Sequence, residues 1–203
     1  MTVTANAAAT DAVSLPLELS PELEELRERA RRFVDEQLIP LEEEAERLGG
    51  RLPPETIAKV REAGMAARLN GGLHSPEHGG QGWSRLEWAL VEEQFGRSTN
   101  GIYWHIPNAY NVWDHASAEQ RERYLRPALR GELKDAYAVT EADAGSDPSR
   151  IATVAERTDA GFRISGEKWF VTSGDVAQVL IVMANVVDGD DRLPTLFLSL
   201  IHI

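Results

Sequence analysis

Apolar positions along the chain follow two periods, and the change falls near residue 134. Before it, Leu23, Leu26, Ala30, Phe33, Leu41, Ala45 and Leu48 recur every three or four residues, which places them on one helical face. Ser20 and Pro21 supply the start of that helix: a hydroxyl cap, then a ring whose fixed φ suits the first helical position. Glu25–Arg29 and Glu28–Arg32 are i,i+4 pairs for its wet side. Pro40 lacks an N–H and crowds the preceding turn, so the helix is expected to kink or break near Ile39. Gly49-Gly50 ends the segment. A shorter helix is predicted from Pro54 to Ala63, with Ile57 and Val60 inward and Gly64 as terminator. Ser84-Arg85-Leu86-Glu87 and Ser117-Ala118-Glu119-Gln120 both have the spacing of a capping box. The first opens a helix with Leu86, Ala89, Leu90 and Phe95 inward and Gly96 as its stop. The second opens one that carries Tyr124, Leu125, Ala128 and Leu129 towards Gly131. Between them Ile102 to Trp113 is rich in aromatic residues and reads as a helix weakened by Pro107; core packing accounts for most of its rings.

From Asp135 the period shortens. Tyr137-Ala138-Val139 reads as the end of a strand, and Ile151–Arg157 and Phe162–Ser165 as two strands of a hairpin turning at Asp159-Ala160-Gly161. Ser165 to Lys168 turns the chain into a further strand at Trp169–Thr172. Val179–Val187 is a continuous apolar run of the kind a well-buried strand needs, and Thr195–Ile203 is another apolar strand after an acidic turn. Helices first and strands afterwards make an α+β chain: a loose tail over 1–19, an all-α domain over 20–134 and a β-rich domain over 135–203.

Composition narrows what such a chain can do. A net charge of -12 argues against nucleic-acid binding, which needs a basic face. With no cysteine, neither a disulfide framework nor a thiolate nucleophile is available. No apolar run reaches the roughly 18 residues of a membrane helix, and Met1 to Ser14 has neither the early basic residues nor the apolar centre of a leader. The glycine-rich stretch Pro76 to Gly82 lacks both nucleotide-loop spacings. His74 and His78 have i,i+4 metal spacing, but Pro76 between them argues against a helical pair. Asp188 to Asp191 lacks the spacing of an acidic calcium loop.

Candidate chemistry concentrates in two stretches. Tyr137 to Asp147, Y-A-V-T-E-A-D-A-G-S-D, ends a strand in a hydroxyl, two carboxylates and a compact Ala-Gly-Ser-Asp turn. Gly145 there is expected to bend the backbone and let a ligand come close. Trp169 to Gly174, W-F-V-T-S-G, repeats the theme of aromatic and β-branched residues followed by a hydroxyl and glycine. Two strand ends of this kind could wall a flat, polar-edged cofactor; two ordinary turns would look the same.

These stretches resemble the flavin-binding signature of the acyl-CoA dehydrogenase family. Thr140-Glu141 and Ala144-Gly145-Ser146-Asp147 match its first part, and Phe170-Val171-Thr172-Ser173-Gly174 its second; Ala142 stands where the family usually has proline. Pro76-Glu77-His78-Gly79-Gly80-Gln81-Gly82 is similar to a connector in the family's helical domain, and Glu119 to Glu132 to its last helix before the β-domain. The resemblance implies a barrel-like middle domain and an FAD-dependent oxidoreductase that desaturates an acyl-CoA thioester at the α,β bond. It implies a cytoplasmic homo-oligomer in fatty acid metabolism, which passes electrons to an acceptor like the electron-transfer flavoprotein. Tyr137, Val139 and Thr140 would lie against the flavin ring and its pyrimidine edge. Gly145 and Ser146 would approach the ribityl-phosphate, Ser146 also the acyl-CoA. Phe170, Val171 and Thr172 would cover the rest of the ring, with the Thr172 hydroxyl near N5. The helix over Ile102–Trp113 would contribute to the acyl pocket. Flavin oxidases and monooxygenases share this architecture and stay open as alternatives, as does a non-catalytic module that only packs against partners.

The resemblance also implies a second helical domain carrying a glutamate as catalytic base. The chain ends inside an apolar strand, so a truncated chain with its base beyond Ile203 is expected, and no catalytic residue is assigned within it. Alone, this polypeptide is expected to be poorly soluble, to hold FAD weakly or not at all and to be inactive, with Glu141 the first candidate base should turnover appear.

Overall fold

The computed structural model describes residues 18–188 and 191–200. Ser20 caps α1 (Pro21–Phe33), whose buried side is Leu26, Ala30 and Phe33. The expected disruption at Pro40 is spread over two turns. The chain widens into a π-turn at Val34–Leu38 and tightens into a 3-10 turn at Ile39–Leu41, then resumes as α2 (Glu42–Arg47). A wider turn before proline relieves the ring's crowding without exposing Leu38, which is fully buried. The predicted i,i+4 pairs do not form; Glu24–Arg27 and Glu28–Arg31 pair at i,i+3 instead. Leu48 is exposed beyond the last turn.

α3 spans Pro54–Ala66 and runs through Gly64. A Cβ at Gly64 would press on the side chain of Ile106, so this glycine serves close packing and does not end the helix. In the Pro76–Gly82 loop one glycine serves in the same way. Gly80 sits where a Cβ would meet the carbonyl oxygens of His74 and Gly71.

Ser84 and Glu87 form the expected reciprocal cap of α4 (Arg85–Phe95): the Glu87 N–H donates to Ser84 Oγ at 3.2 Å and the Ser84 N–H to Glu87 Oε2 at 2.7 Å. Ser84→Ala should cost about 1 kcal/mol, read as a lower denaturant midpoint with an unchanged slope. The inward face of α4 differs from the predicted one. Val91, Gln94 and Phe95 are buried, whereas Leu86 is 46% exposed and Ala89 is exposed. The stretch after α4 is not a regular helix. Pro107 divides it into two 3-10 turns, Ile102–His105 and Asn111–His115. Ser117 caps α5 (Ala118–Gln120), which passes through a π-turn into α6 (Arg126–Leu129).

The strands are β1 (Asp135–Ala138), β2 (Val154–Thr158), β3 (Gly161–Ser165), β4 (Val179–Asp188) and β5 (Asp191–Leu200). β4 is central, as its apolar run requires. β1 lies parallel to its first half, from Asp135 opposite Val179 to Ala138 opposite Val182. β2 lies parallel further along, with Val154 opposite Asn185, and β3 returns antiparallel on β2. β5 runs antiparallel along the whole length of β4. The result is an open five-stranded mixed sheet, not a closed barrel, among the described residues. β5 starts earlier than predicted, and its last predicted residues lie outside the described ones. Its apolar run is not uniformly bare: Phe197 meets Phe162 with ring centroids 5.1 Å apart, while Leu196 is exposed.

One apolar cluster fills the helical layer around Phe33, Leu38 and Phe95. A second joins the layers: Trp113, Leu125 and Leu129 from the helical part pack with Val179 and Ile181 of β4. That shared core places the end of β1 beside the aromatic stretch of the helical part.

Candidate functional site

The chain leaves β1 at Val139, and Glu141 and Ala144 then exchange backbone hydrogen bonds of 3.0 and 3.2 Å. This four-residue turn folds the Glu141 side chain inward and the Gly145-Ser146-Asp147 backbone outward. Glu141 is buried among donors. The backbone N–H groups of Ala152 (2.6 Å) and Thr153 (3.0 Å), the Thr153 hydroxyl and the Lys168 ammonium (2.6 Å) all donate to it. Burial alone would push this carboxyl up, but those four donors outweigh it and hold the group at about 2. Glu141 is thus an ionised structural anchor, unsuited to accept a proton near neutral pH, and it is not a candidate base.

Lys168 also donates to the Val139 carbonyl at 2.9 Å, and the Trp169 N–H donates to the Thr140 carbonyl at 2.9 Å. These bonds hold the two hydroxyl-bearing stretches side by side. The second stretch is not a strand, however. The Trp169–Thr140 bond is its backbone link to the first stretch; Phe170 (φ 52°) and Ser173 (φ 63°) adopt left-handed backbone; and a turn follows from Thr172. β-Propensity favours a strand only where a ladder is available, and none forms here. Non-glycine residues with positive φ are uncommon and cluster at functional sites.

The predicted site residues fall into three settings. Tyr137 is exposed, with its ring centroid 5.5 Å from that of Tyr110; Val139, Thr140 and Val171 are half-buried. Gly145, Ser146 and Thr172 are exposed, and Phe170 is 85% exposed. Thr140, Ser146 and Thr172 make no side-chain hydrogen bond to the described residues, so their hydroxyls are free to serve a ligand. The expected special backbone at Gly145 is absent: its φ is not in the left-handed region, and a Cβ built there meets nothing within 4 Å. Open space is what remains of the argument for that glycine.

Thr172 and Ser173 also line a cavity of about 300 Å³ between the helical part and the sheet. Trp88, Phe95, Tyr103, Trp104 and Tyr110 give it an aromatic wall; of the rings between Ile102 and Trp113, Tyr103, Tyr110 and Trp113 also pack into the cores as expected, and Trp104 does not. Polar groups at its rim are Glu92, Lys134 and Asp135. Burial pushes the Glu92 carboxyl up. Asp135 is buried and accepts from Trp113 Nε1–H at 2.6 Å and the Tyr110 N–H at 3.3 Å, which fixes the aromatic stretch to the start of β1. Sequence reasoning missed Lys168, Thr153, Lys134 and Glu92. Lys168 stands one residue before the second signature, which was its only local signal; the others are brought in by tertiary contacts.

His74 is buried, with Nε2 2.9 Å from the Ala109 carbonyl oxygen, and no group of three or more His, Cys, Asp or Glu side chains among the described residues could hold a metal. No helix among them is long and apolar enough to cross a membrane.

Two family models match the chain: the acyl-CoA dehydrogenase N-terminal domain over residues 20–132 and the middle domain over 136–200. The short-chain specific acyl-CoA dehydrogenase of Clostridium acetobutylicum is 30% identical over 174 residues, 82% of this chain and 44% of that protein. The (R)-benzylsuccinyl-CoA dehydrogenase of Thauera aromatica is 31% identical over 187 residues, 85% of this chain and 46% of that protein. Among solved structures, an acyl-CoA dehydrogenase from Bacillus anthracis complexed with FAD superposes with a TM-score of 0.73 at 25% identity, over 91% of this chain and 32% of that one. The chain therefore spans less than half the length of these relatives. By both of its matched domains, the chain belongs to the acyl-CoA dehydrogenase family.

Proposed function

We propose that this chain forms the helical and middle domains of an FAD-dependent enzyme that desaturates an acyl-CoA thioester between its α and β carbons. The observation that carries the reading is the junction of the two signature stretches, where the Trp169–Thr140 and Lys168–Val139 bonds set free hydroxyls around open space beside the aromatic cavity. That arrangement fits a flavin. Gly145 leaves room for close approach, exposed Tyr137 and Phe170 offer flat apolar surface, and unengaged hydroxyls offer hydrogen bonds. FAD, when bound, supplies the two-electron acceptor. The chain's own residues bind and orient. Val139 and Phe170 exclude water from the ring, the Thr140 hydroxyl meets its polar edge, Gly145 and Ser146 face phosphate and acyl-CoA, and Thr172 donates towards the position that gains electron density on reduction. An acceptor like the electron-transfer flavoprotein, a homo-oligomeric state, a cytoplasmic location and a place in fatty acid metabolism go with this reading, and family membership is what supports them.

The test is the visible spectrum of the purified full-length gene product, since this polypeptide alone is expected to hold FAD weakly or not at all. Flavin absorbance, with FAD released on denaturation, supports the reading; colourless protein that takes up no added FAD overturns it. In the flavin-loaded protein, Thr172→Val should slow flavin reduction by the worth of one hydrogen bond to a developing charge, about 2 kcal/mol, with the fold intact. Unchanged stopped-flow traces would remove Thr172 from that position.

A further inference from the structure

Lys134 is a cation that forms no ion pair with a described residue. It precedes β1, lines the aromatic cavity, and also lines an adjoining cavity of about 730 Å³ that shares Trp104 and Ser173 with the first. Its hydrogen bonds to described residues are made by its backbone: its N–H donates to Gln178 Oε1 at 2.6 Å, and its carbonyl accepts from the Gln178 N–H at 2.9 Å. The ammonium takes part in no ion pair with a described residue. Burial pushes it down, and the adjacent Asp135 charge offsets this only in part. His105 lies close enough that the Lys134 charge, together with burial, pushes the imidazole down.

The acidic groups around it are committed elsewhere. Asp135 receives Trp113 and Tyr110, Glu132 is held by Arg130 at 2.8 Å, and Asp175 by Arg51 at 3.1 Å. Arg61 is occupied by the Gly131 carbonyl at 3.0 Å. Glu92 on the cavity wall has no ion-pair partner among the described residues, and burial favours its neutral form. A half-buried ammonium paired with no carboxylate among the described residues, set in an aromatic wall where water screens it poorly, costs stability unless a ligand supplies the anion.

We infer that Lys134 is a specificity-determining residue of the cavity and that the acyl groups this protein takes carry a carboxylate of their own. The inference rests on the acyl-CoA reading above. The carboxylate would accept from the Lys134 ammonium, while the rings of Tyr103 and Trp104 cover the hydrocarbon part.

The experiment measures binding of glutaryl-CoA and pentanoyl-CoA to the gene product by quenching of tryptophan fluorescence, since Trp88 and Trp104 line the cavity. The expected result is about tenfold tighter binding of glutaryl-CoA, the worth of one charge-assisted hydrogen bond. Lys134→Met should erase that preference and raise Tm, because it removes an uncompensated charge from a half-buried place; Lys134→Arg should keep the preference. Equal affinities in the unmodified protein, or a preference that survives in a folded Lys134→Met protein, overturn the inference and leave the acyl-CoA reading standing. Failure of both ligands to bind overturns both.

Discussion

Glu141→Leu should lower the stability of the β-rich part by about 3–5 kcal/mol, the cost of breaking a buried ion pair from one side. Three kinds of group lose their acceptor together. Lys168, with 11% of its side chain exposed, is left as a buried cation with the Val139 carbonyl as its remaining partner. The N–H groups of Ala152 and Thr153 are left without one, and the Thr153 hydroxyl must turn elsewhere. The native network also predicts a pH dependence. The Glu141 carboxyl sits at about 2 when folded and near the ordinary 4.5 when unfolded, so its contribution of roughly 3 kcal/mol is complete above the higher value. It fades as pH falls between the two, where the unfolded chain binds the proton and the folded chain does not. Urea midpoints measured from pH 7 down to pH 2 should therefore fall more steeply in the native protein than in the Glu141→Leu protein. Parallel curves would show that the carboxylate is not held as its contacts imply. Lys168→Met should produce a loss of similar size, and the double substitution should cost less than the sum of the two singles, since both act on one network.

This network also shows which parts of the structure could be read from the chain and which could not. Features set by local chemistry were legible. Ser20, Ser84 and Ser117 cap helices because a hydroxyl before an apolar-periodic run has one obvious use, and Val179–Val187 became the central strand because an unbroken apolar run must be covered on both faces. Features set by a neighbour remote in sequence were not. Gly64 looked like a terminator because nothing near it in the chain announces Ile106, forty-odd positions away, as the side chain that needs its missing Cβ. The inward face of α4 was misread in part: Phe95 is buried as expected, but Leu86 and Ala89, though apolar, are exposed, and it is Val91 that joins Phe95 in the helical layer. Trp169–Thr172 has strand composition but no ladder, and its backbone instead turns left-handed at Phe170 and Ser173. The signature residues themselves were found because their spacing is local. Lys168 and Thr153, which hold those residues in place, were missed because a lysine in a predicted turn and a threonine just before a strand carry no mark of the carboxylate they share.

Gly145→Val should leave the fold intact and abolish flavin retention, and the contrast between those two outcomes is what gives the substitution its force. The usual reading of such a glycine joins backbone freedom to ligand approach, and a failed variant cannot separate them. Here they separate. Gly145 is not in the left-handed region, and a Cβ at its place meets nothing within 4 Å, so neither strain nor a clash with the chain opposes a larger side chain. Valine at this exposed turn should shift the denaturant midpoint by no more than an ordinary surface substitution, within about 0.5 kcal/mol. If the space beside Gly145 belongs to the ribityl-phosphate part of FAD, the three carbons of an added isopropyl group occupy the volume the ligand needs. The overlap should cost roughly 3 kcal/mol of binding, about a hundredfold in Kd. The measurement pairs a urea titration with a titration of the apoprotein by FAD, followed by quenching of flavin fluorescence. Gly145→Ala, with one methyl group, should fall between the two. Native-like stability with native-like flavin affinity in Gly145→Val would place the cofactor away from this loop. A collapse of stability would show that the loop packs against protein that the open space around Gly145 does not reveal.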